Sequence, residues 1–103
     1  PYQSGFTSST AGTLQAVHLG DRVYLRGGAS GTFPKGSYTQ VATLPESIPR
    51  PPDGYVHRDG VMGAAGRAGG VEITQTGRIN LVHDVTPAPG WLVATTSYLV
   101  IPS

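Results

Sequence analysis

The chain has 103 residues and a net charge of +1, and 24 of its residues are glycine or proline, against an average of about 12% for the two together. Good helix formers are scarce, with 2 Glu, 1 Lys and 1 Met, whereas threonine and valine supply 11 and 10 residues. This composition excludes a helical bundle and favours one domain of short strands joined by turns. The scattered basic residues offer no electrostatic basis for nucleic-acid binding, and the lack of cysteine excludes disulfides and thiolate chemistry.

The first segment differs in pattern from the remainder. Residues 1–13 are small, polar and without periodicity, so we predict a linker or lead-in followed by one domain over residues 14–103. In Arg22–Arg26 the apolar Val23 and Leu25 alternate with polar residues. That alternation is typical of a strand with one buried face.

Glycine and proline divide the domain into short strands. Gly27–Gly36 is predicted as a loop, and Glu46–Gly54, with three prolines, as a stiff crossover. The predicted strands are Leu14–His18, Arg22–Arg26, Ser37–Leu44, Tyr55–His57, Val61–Ala65, Gly70–Gln75, Arg78–His83 and Trp91–Ile101. About seven or eight strands at this spacing predict an all-β sandwich, jelly roll or barrel.

The second half contains a hairpin signal and an unusual last strand. Thr76-Gly77 between two strand patterns predicts a two-residue hairpin loop. Trp91–Ile101 has apolar residues on both faces, which indicates either an internal strand of a monomer or a strand covered by another subunit. The alternating apolar positions predict a core of Val23, Leu25, Val41, Leu44, Val71, Ile73, Ile79, Leu81, Val93 and Leu99.

Residues that could catalyse a reaction or bind a cofactor are dispersed. His18, His57 and His83 are not spaced as local metal ligands, so we predict no metal site, although one histidine from each of three chains could meet on a threefold axis. Residues 63–70 are glycine-rich but lack the GxGxxG spacing and precede a strand, so no cofactor is predicted. The six carboxylates are far apart in sequence, and no apolar run approaches the roughly 20 residues of a membrane helix. We therefore expect a protein that is neither an enzyme nor inserted in a membrane.

One segment combines the side-chain types that bind sugars. Tyr55, His57, Arg58 and Asp59 stand together beside a turn, and planar polar groups next to an aromatic ring suit a hydroxyl-rich ligand. The alternative is an exposed polar loop with no ligand. Trp91 follows a Pro-Gly turn and is either a core anchor or a stacking platform. These five residues are the predicted ligand-binding set.

A family resemblance extends over residues 14–101. The residues that carry it are Gly20–Gly27 (GDRVYLRG), Val41–Pro45 (VATLP), Arg50-Pro51, Val71–Ile73, Gly77–Ile79 and Trp91-Leu92. The pattern resembles the C-terminal head domain of bacteriophage minor tail proteins and tail fibres. An extra residue between Pro45 and Arg50 departs from the Pro-x-Gly-x-Arg-Pro spacing of that family.

The resemblance implies a small antiparallel jelly-roll-like β-sandwich that forms a homotrimer at the distal end of a virion fibre. It implies adsorption to a host cell-wall or capsular saccharide, with the rest of the tail fibre N-terminal to this domain. Because the chain begins at Pro1 and its only methionine is Met62, we expect either a piece excised from a longer polypeptide or a processed chain. Two rivals remain: a structural trimerisation or capping domain without host contact, and a glycan hydrolase or esterase on the same scaffold.

Overall fold

The computed structural model of the chain describes residues 2–8, 12–52, 56–64, 68–84 and 89–100. Within them the chain is all-β, and every strand pairing is antiparallel. The strands are β1 Thr7–Ser8, β2 Gln15–Leu19, β3 Arg22–Arg26, β4 Gly28–Ser30, β5 Thr39–Thr43, β6 His57–Met62, β7 Ala68–Ile73, β8 Arg78–His83, β9 Trp91–Val93 and β10 Thr96–Leu99. The all-β prediction is confirmed.

The strands form three sheets, in the orders β1-β4-β9, β10-β3-β2 and β5-β8-β7-β6. The four-stranded sheet is joined to the first sheet by a bridge between Gly63, after β6, and Leu92 in β9. Apolar side chains from all three sheets pack into one core. Removing this surface from water is the main favourable term that holds the sheets together.

The alternation predicted for Arg22–Arg26 is confirmed in β3. Val23 and Leu25 are buried, whereas Tyr24 and Arg26 are exposed. The inward residues face the core because successive side chains of a strand point to opposite faces of the sheet.

Eight of the ten predicted core residues are buried, and two are not. Val93 is half-buried, and Leu99 is 39% exposed. The predicted strand Trp91–Ile101 is two strands in different sheets, because β9 pairs with β4 and β10 pairs with β3. Leu99 lies opposite Arg22 and shares its outward face, whereas Tyr98 lies opposite the buried Val23. The core also includes Ala29, Phe33, Ala42, Val61, Leu92, Ala94 and Tyr98.

Three predicted segments have a different structure, and the ends of β2, β5 and β7 differ from the predicted ones by one or two residues. The loop predicted for Gly27–Gly36 contains β4, and the two short strands predicted around Gly60 are one strand, β6. The lead-in contributes β1, which pairs with β4. The hydroxyl of Tyr2 donates a hydrogen bond to the Gly28 carbonyl at 2.6 Å and accepts one from the Leu14 amide at 2.7 Å. Local periodicity cannot predict these contacts, because they join segments that only the tertiary fold brings together.

The predicted hairpin between β7 and β8 is present with a longer loop. Ile73 pairs with Ile79, and the Gly77 amide donates to the Thr74 carbonyl. The loop is therefore Gln75-Thr76-Gly77 and not Thr76-Gly77 alone. Gly77 has a φ of 84°, which is typical of the residue that follows a type I turn in three-residue hairpins.

Candidate functional site

The predicted ligand-binding segment lies on β6, at the edge of the four-stranded sheet. It forms a strand, so neighbouring side chains point to opposite faces. His57 and Asp59 face the strand β10, whereas Arg58 faces outward over β7. The structure thus separates residues that are adjacent in sequence into two polar groups.

The first group links two sheets through a threonine. The Thr96 hydroxyl on β10 donates to an Asp59 oxygen at 2.8 Å, and the Nε2 atom of His57 lies 2.7 Å from the same hydroxyl oxygen. A threonine has one hydroxyl proton, so His57 donates through Nε2 when that proton is directed to Asp59. This group ties β6 to β10.

The environment of this group favours a neutral imidazole and a charged carboxylate. Burial lowers the pKa of His57, the nearby charge of Asp59 opposes that effect, and Arg22 adds to it. Hydrogen bonds from Thr96 and from the Gly60 amide lower the pKa of Asp59. The Asp59 carboxylate is therefore held by protein donors that also fix its orientation.

The second group is exposed on the outward face of the sheet. The Nε and Nη2 atoms of Arg58 both lie 2.9 Å from one oxygen of Glu72, and the Asn80 amide donates to the other oxygen at 2.9 Å. The guanidinium also lies 5.9 Å from the centroid of the Tyr38 ring. Side-chain exposure is 64% for Arg58 and 12% for Glu72. The outer face therefore presents a planar polar network with a neighbouring aromatic ring.

The other two predicted residues do not join Arg58. Trp91 is half-buried on β9, opposite Ser30 in a different sheet. Tyr55 lies outside the described residues. Sequence reasoning missed Tyr38, Glu72 and Asn80. The predicted two-residue loop would set Glu72 opposite Leu81, whereas the three-residue loop of the structure sets it opposite Asn80, so the hairpin pattern gave no signal for this contact.

A second exposed surface carries apolar side chains next to Arg22 and Arg26. The outward face of the sheet β10-β3-β2 presents Val17, Leu19, Tyr24 and Leu99, and Leu19 is 60% exposed. A groove of about 900 Å³ opens beside β2. Apolar sheet faces of this kind are common in protein interfaces.

Within the described ranges, no group of three or more His, Asp or Glu side chains is arranged to hold a metal ion. The same ranges contain no helix that is long and apolar enough to cross a membrane. Comparisons with protein-family models, with curated proteins and with solved structures find no match.

Proposed function

We propose that this chain is the receptor-binding domain of a phage tail, located at the distal end of the virion, which attaches the particle to a host cell-surface saccharide. The resemblance to phage tail head domains suggests the biological setting. The observation that carries the binding role is the exposed Arg58–Glu72–Asn80 network beside Tyr38. Such a network supplies both donors and acceptors in fixed directions, and the ring supplies an apolar surface for the C–H groups of a sugar.

The apolar face of β10-β3-β2 supports the second part of the proposal, a homotrimer with jelly-roll-like subunits. Residues on this face are exposed in a single chain, and contact with copies of the chain would remove them from water. A saccharide site with a few hydrogen bonds binds weakly, in the micromolar to millimolar range. Three linked sites raise the strength of attachment through avidity.

The proposed role is binding and not catalysis. The hydroxyl of Thr96 and the groups of His57 and Asp59 bond one another between two sheets, an arrangement that accounts for these residues as a structural link. Release of sugars from host polysaccharide by the purified chain would instead support the hydrolase alternative.

The test is adsorption to host cells by an Arg58→Ala variant. We expect weaker adsorption with an unchanged oligomer and melting temperature, because the Arg58 partner of the ion pair is exposed, a surface pair contributes about 0–1 kcal/mol to folding, and Glu72 keeps Asn80 as a partner. Lys35→Ala removes one positive charge from an exposed position in the loop before β5 and serves as the control. Adsorption should depend only mildly on salt, since the ligand is neutral or weakly anionic. Unchanged adsorption by the Arg58 variant would contradict the proposed role of this network.

The apolar face also favours the alternative role, a structural cap that trimerises a fibre without contacting the host. A trimer that binds neither host cells nor any host glycan would establish the cap and remove the receptor-binding proposal.

A further inference from the structure

The sheet β10-β3-β2 has an open edge on each side. Among the described residues, β3 is the only strand that pairs with β2 or with β10. The outer edge of each strand therefore presents backbone N–H and C=O groups that no described strand pairs with. An edge of this kind is a template for pairing with another chain.

The hairpin between β2 and β3 identifies the open groups on β2. Its loop is Gly20-Asp21, and Leu19 lies opposite Arg22 as the pair next to the loop. This pair exchanges two hydrogen bonds, and along an antiparallel ladder such pairs alternate with pairs that exchange none. The N–H and C=O groups of Ala16 and His18 therefore point away from β3.

The same alternation identifies the open groups on β10. Val23 and Leu25 direct their backbone groups to β10, where Val23 lies opposite Tyr98. The N–H and C=O groups of Ser97 and Leu99 therefore point away from β3. Each edge thus presents two residues with both backbone groups free for a neighbouring strand.

Both edges lack the features that usually prevent edge-to-edge pairing. Neither β2 (QAVHL) nor β10 (TSYL) contains a proline or a formally charged residue, and their registers with β3 have no bulge. The charged residues of this sheet, Arg22 and Arg26, lie on β3, one strand away from either edge. Two copies therefore meet at these edges without placing like charges opposite each other. The groove of about 900 Å³ beside β2 leaves its edge accessible.

The directions of the strands fit a ring of copies. Since β2 and β10 are both antiparallel to β3, they run in the same direction. Copies related by rotation about an axis along the strands keep that direction, so β10 of one copy lies parallel to β2 of the next. A head-to-tail contact of this kind closes into a ring when its rotation divides a full turn.

One register matches both the hydrogen bonds and the faces. With Ser97 of the next copy opposite Val17, its amide donates to the Ala16 carbonyl and its carbonyl accepts from the His18 amide. Ser97 and Val17 both lie opposite Tyr24 in their own sheet, so their side chains share the outward face. Two residues further along, Leu99 of the next copy lies beside Leu19. These leucines are 39% and 60% exposed in the single chain.

We propose that copies of this chain join through main-chain hydrogen bonds between the edge of β2 and the edge of β10 in the next copy, with Leu19 packed against Leu99. This inference rests on the homotrimer of the proposed function and assigns its joint. Three such joints close the ring and leave no open edge in this sheet.

The test is a Leu19→Cys and Leu99→Cys double variant of the full 103-residue chain, which has no cysteine of its own. Within one chain the two positions lie on opposite sides of Arg22, about 10 Å apart. A disulfide needs Cα atoms within about 7 Å, so it forms only between copies. After oxidation with oxidised glutathione, we expect a covalent trimer as the main band on a denaturing gel without reductant. Reductant should restore the single chain.

The matched control is the Met62→Cys and Leu99→Cys double variant, since Met62 is 58% exposed and lies in the four-stranded sheet. We expect it to form no covalent trimer. If the parent is a trimer by light scattering and both double variants cross-link equally, the joint is elsewhere and the trimer stands. A monomeric parent would overturn both the joint and the proposed assembly.

A His18→Pro variant tests the main-chain bonds directly. Proline removes an amide that β3 does not use, and edge strands tolerate proline where the N–H faces outward. We expect the concentration for half-assembly to rise by about tenfold or more, with the circular dichroism spectrum of the parent. Assembly as strong as that of the parent would overturn the edge pairing, and the cross-linking result decides if this variant does not fold.

Discussion

Tyr98 shows how one polar atom in the core holds a distant segment. The residue is 1% exposed, and its hydroxyl donates to the carbonyl of Pro49 in the crossover between β5 and β6. Burial raises the pKa of Tyr98 to about 12. The neutral hydroxyl is therefore retained across the physiological range, and its hydrogen bond connects β10 to the crossover.

We expect Tyr98→Phe to lower the free energy of unfolding by about 1–2 kcal/mol, because the ring remains packed while the Pro49 carbonyl loses its donor. Urea denaturation should show a lower midpoint with an unchanged slope. The exposed Tyr38, which lies outside the face of the proposed trimer, provides the control, and Tyr38→Phe should change stability by less than about 0.5 kcal/mol. Equal midpoints for the parent and the Tyr98 variant would show that this hydrogen bond adds nothing to folding.

Because of the link from His57 through Thr96 to Asp59, the free energy of unfolding decreases as pH falls. The pKa of folded His57 lies below its ordinary value of 6.5, so the unfolded chain binds protons more readily as pH falls below 6.5. This contribution to stability is complete above pH 6.5 and decreases as pH falls toward the lower folded value. The pKa of Asp59 lies below its ordinary 3.8, so its contribution is present above pH 3.8 and is lost in stronger acid.

We therefore expect the melting temperature to fall on acidification in two steps, a first one below pH 6.5 and a second one below pH 3.8. Solvent weakens the second step, because Asp59 is exposed and its interactions are screened. Melting curves between pH 3 and pH 8 measure both. A His57→Gln variant should lose the first step, and a first step that persists in that variant would assign it to another group.

At the scale of elements, the crossover between β5 and β6 is organised by one arginine. The Arg50 guanidinium donates to the carbonyls of Pro45 at 2.7 Å, Ile48 at 2.8 Å and Leu44 at 3.3 Å. A Cβ atom at Gly77 would lie 2.7 Å from the same guanidinium. Arg50 therefore stabilises the proline-rich segment through these carbonyls and lies next to the β7–β8 loop.

We expect Gly77→Ala to destabilise the protein by about 1–3 kcal/mol, because alanine is strained at a φ of 84° and its methyl group displaces the guanidinium. Thermal unfolding measures the loss. Gly60→Ala is the matched control, since that position is open and not left-handed, and it should be neutral or stabilising. Equal melting temperatures for the Gly77→Ala and Gly60→Ala variants would show that the contact between Arg50 and the loop does not contribute to stability.

At the scale of the whole molecule, the distribution of apolar surface concerns assembly. The outward face of β10-β3-β2 exposes Leu19 and Leu99 on its two edge strands, with Tyr24 on the strand between them. The buried side chains of these strands point to the other face of the sheet, so the exposed side chains are available for contact with copies of the chain. The proposed trimer would bury it.

We expect the parent chain to be a trimer in solution and Leu19→Lys to shift it to monomers, because burying an unpaired charge in an interface is costly. The monomer should keep its fold, since Leu19 is 60% exposed. Light scattering at micromolar concentration and circular dichroism measure the two properties. A parent chain that is monomeric under these conditions would contradict the proposed assembly.

The sequence by itself determined the strand class and the strands with strict alternation. The predicted bounds of Arg22–Arg26 and Arg78–His83 coincide with β3 and β8. Each of these strands has one buried and one more exposed face, so local periodicity carries the information needed to place it. For the candidate site, the sequence placed Arg58 in the predicted set, whereas the approach of Glu72 to Asn80 depends on the three-residue hairpin loop, which was not predicted.

Only the tertiary structure decided which apolar face of residues 91–99 is buried, because both faces are apolar and the chain changes sheets between β9 and β10. It also separated Arg58 from His57 and Asp59 and brought Tyr38 to the guanidinium. Thr96 reaches Asp59 across 37 positions of sequence. Periodicity describes the two faces of one strand, whereas these contacts depend on which strands become neighbours, and that choice is made by packing of the whole chain.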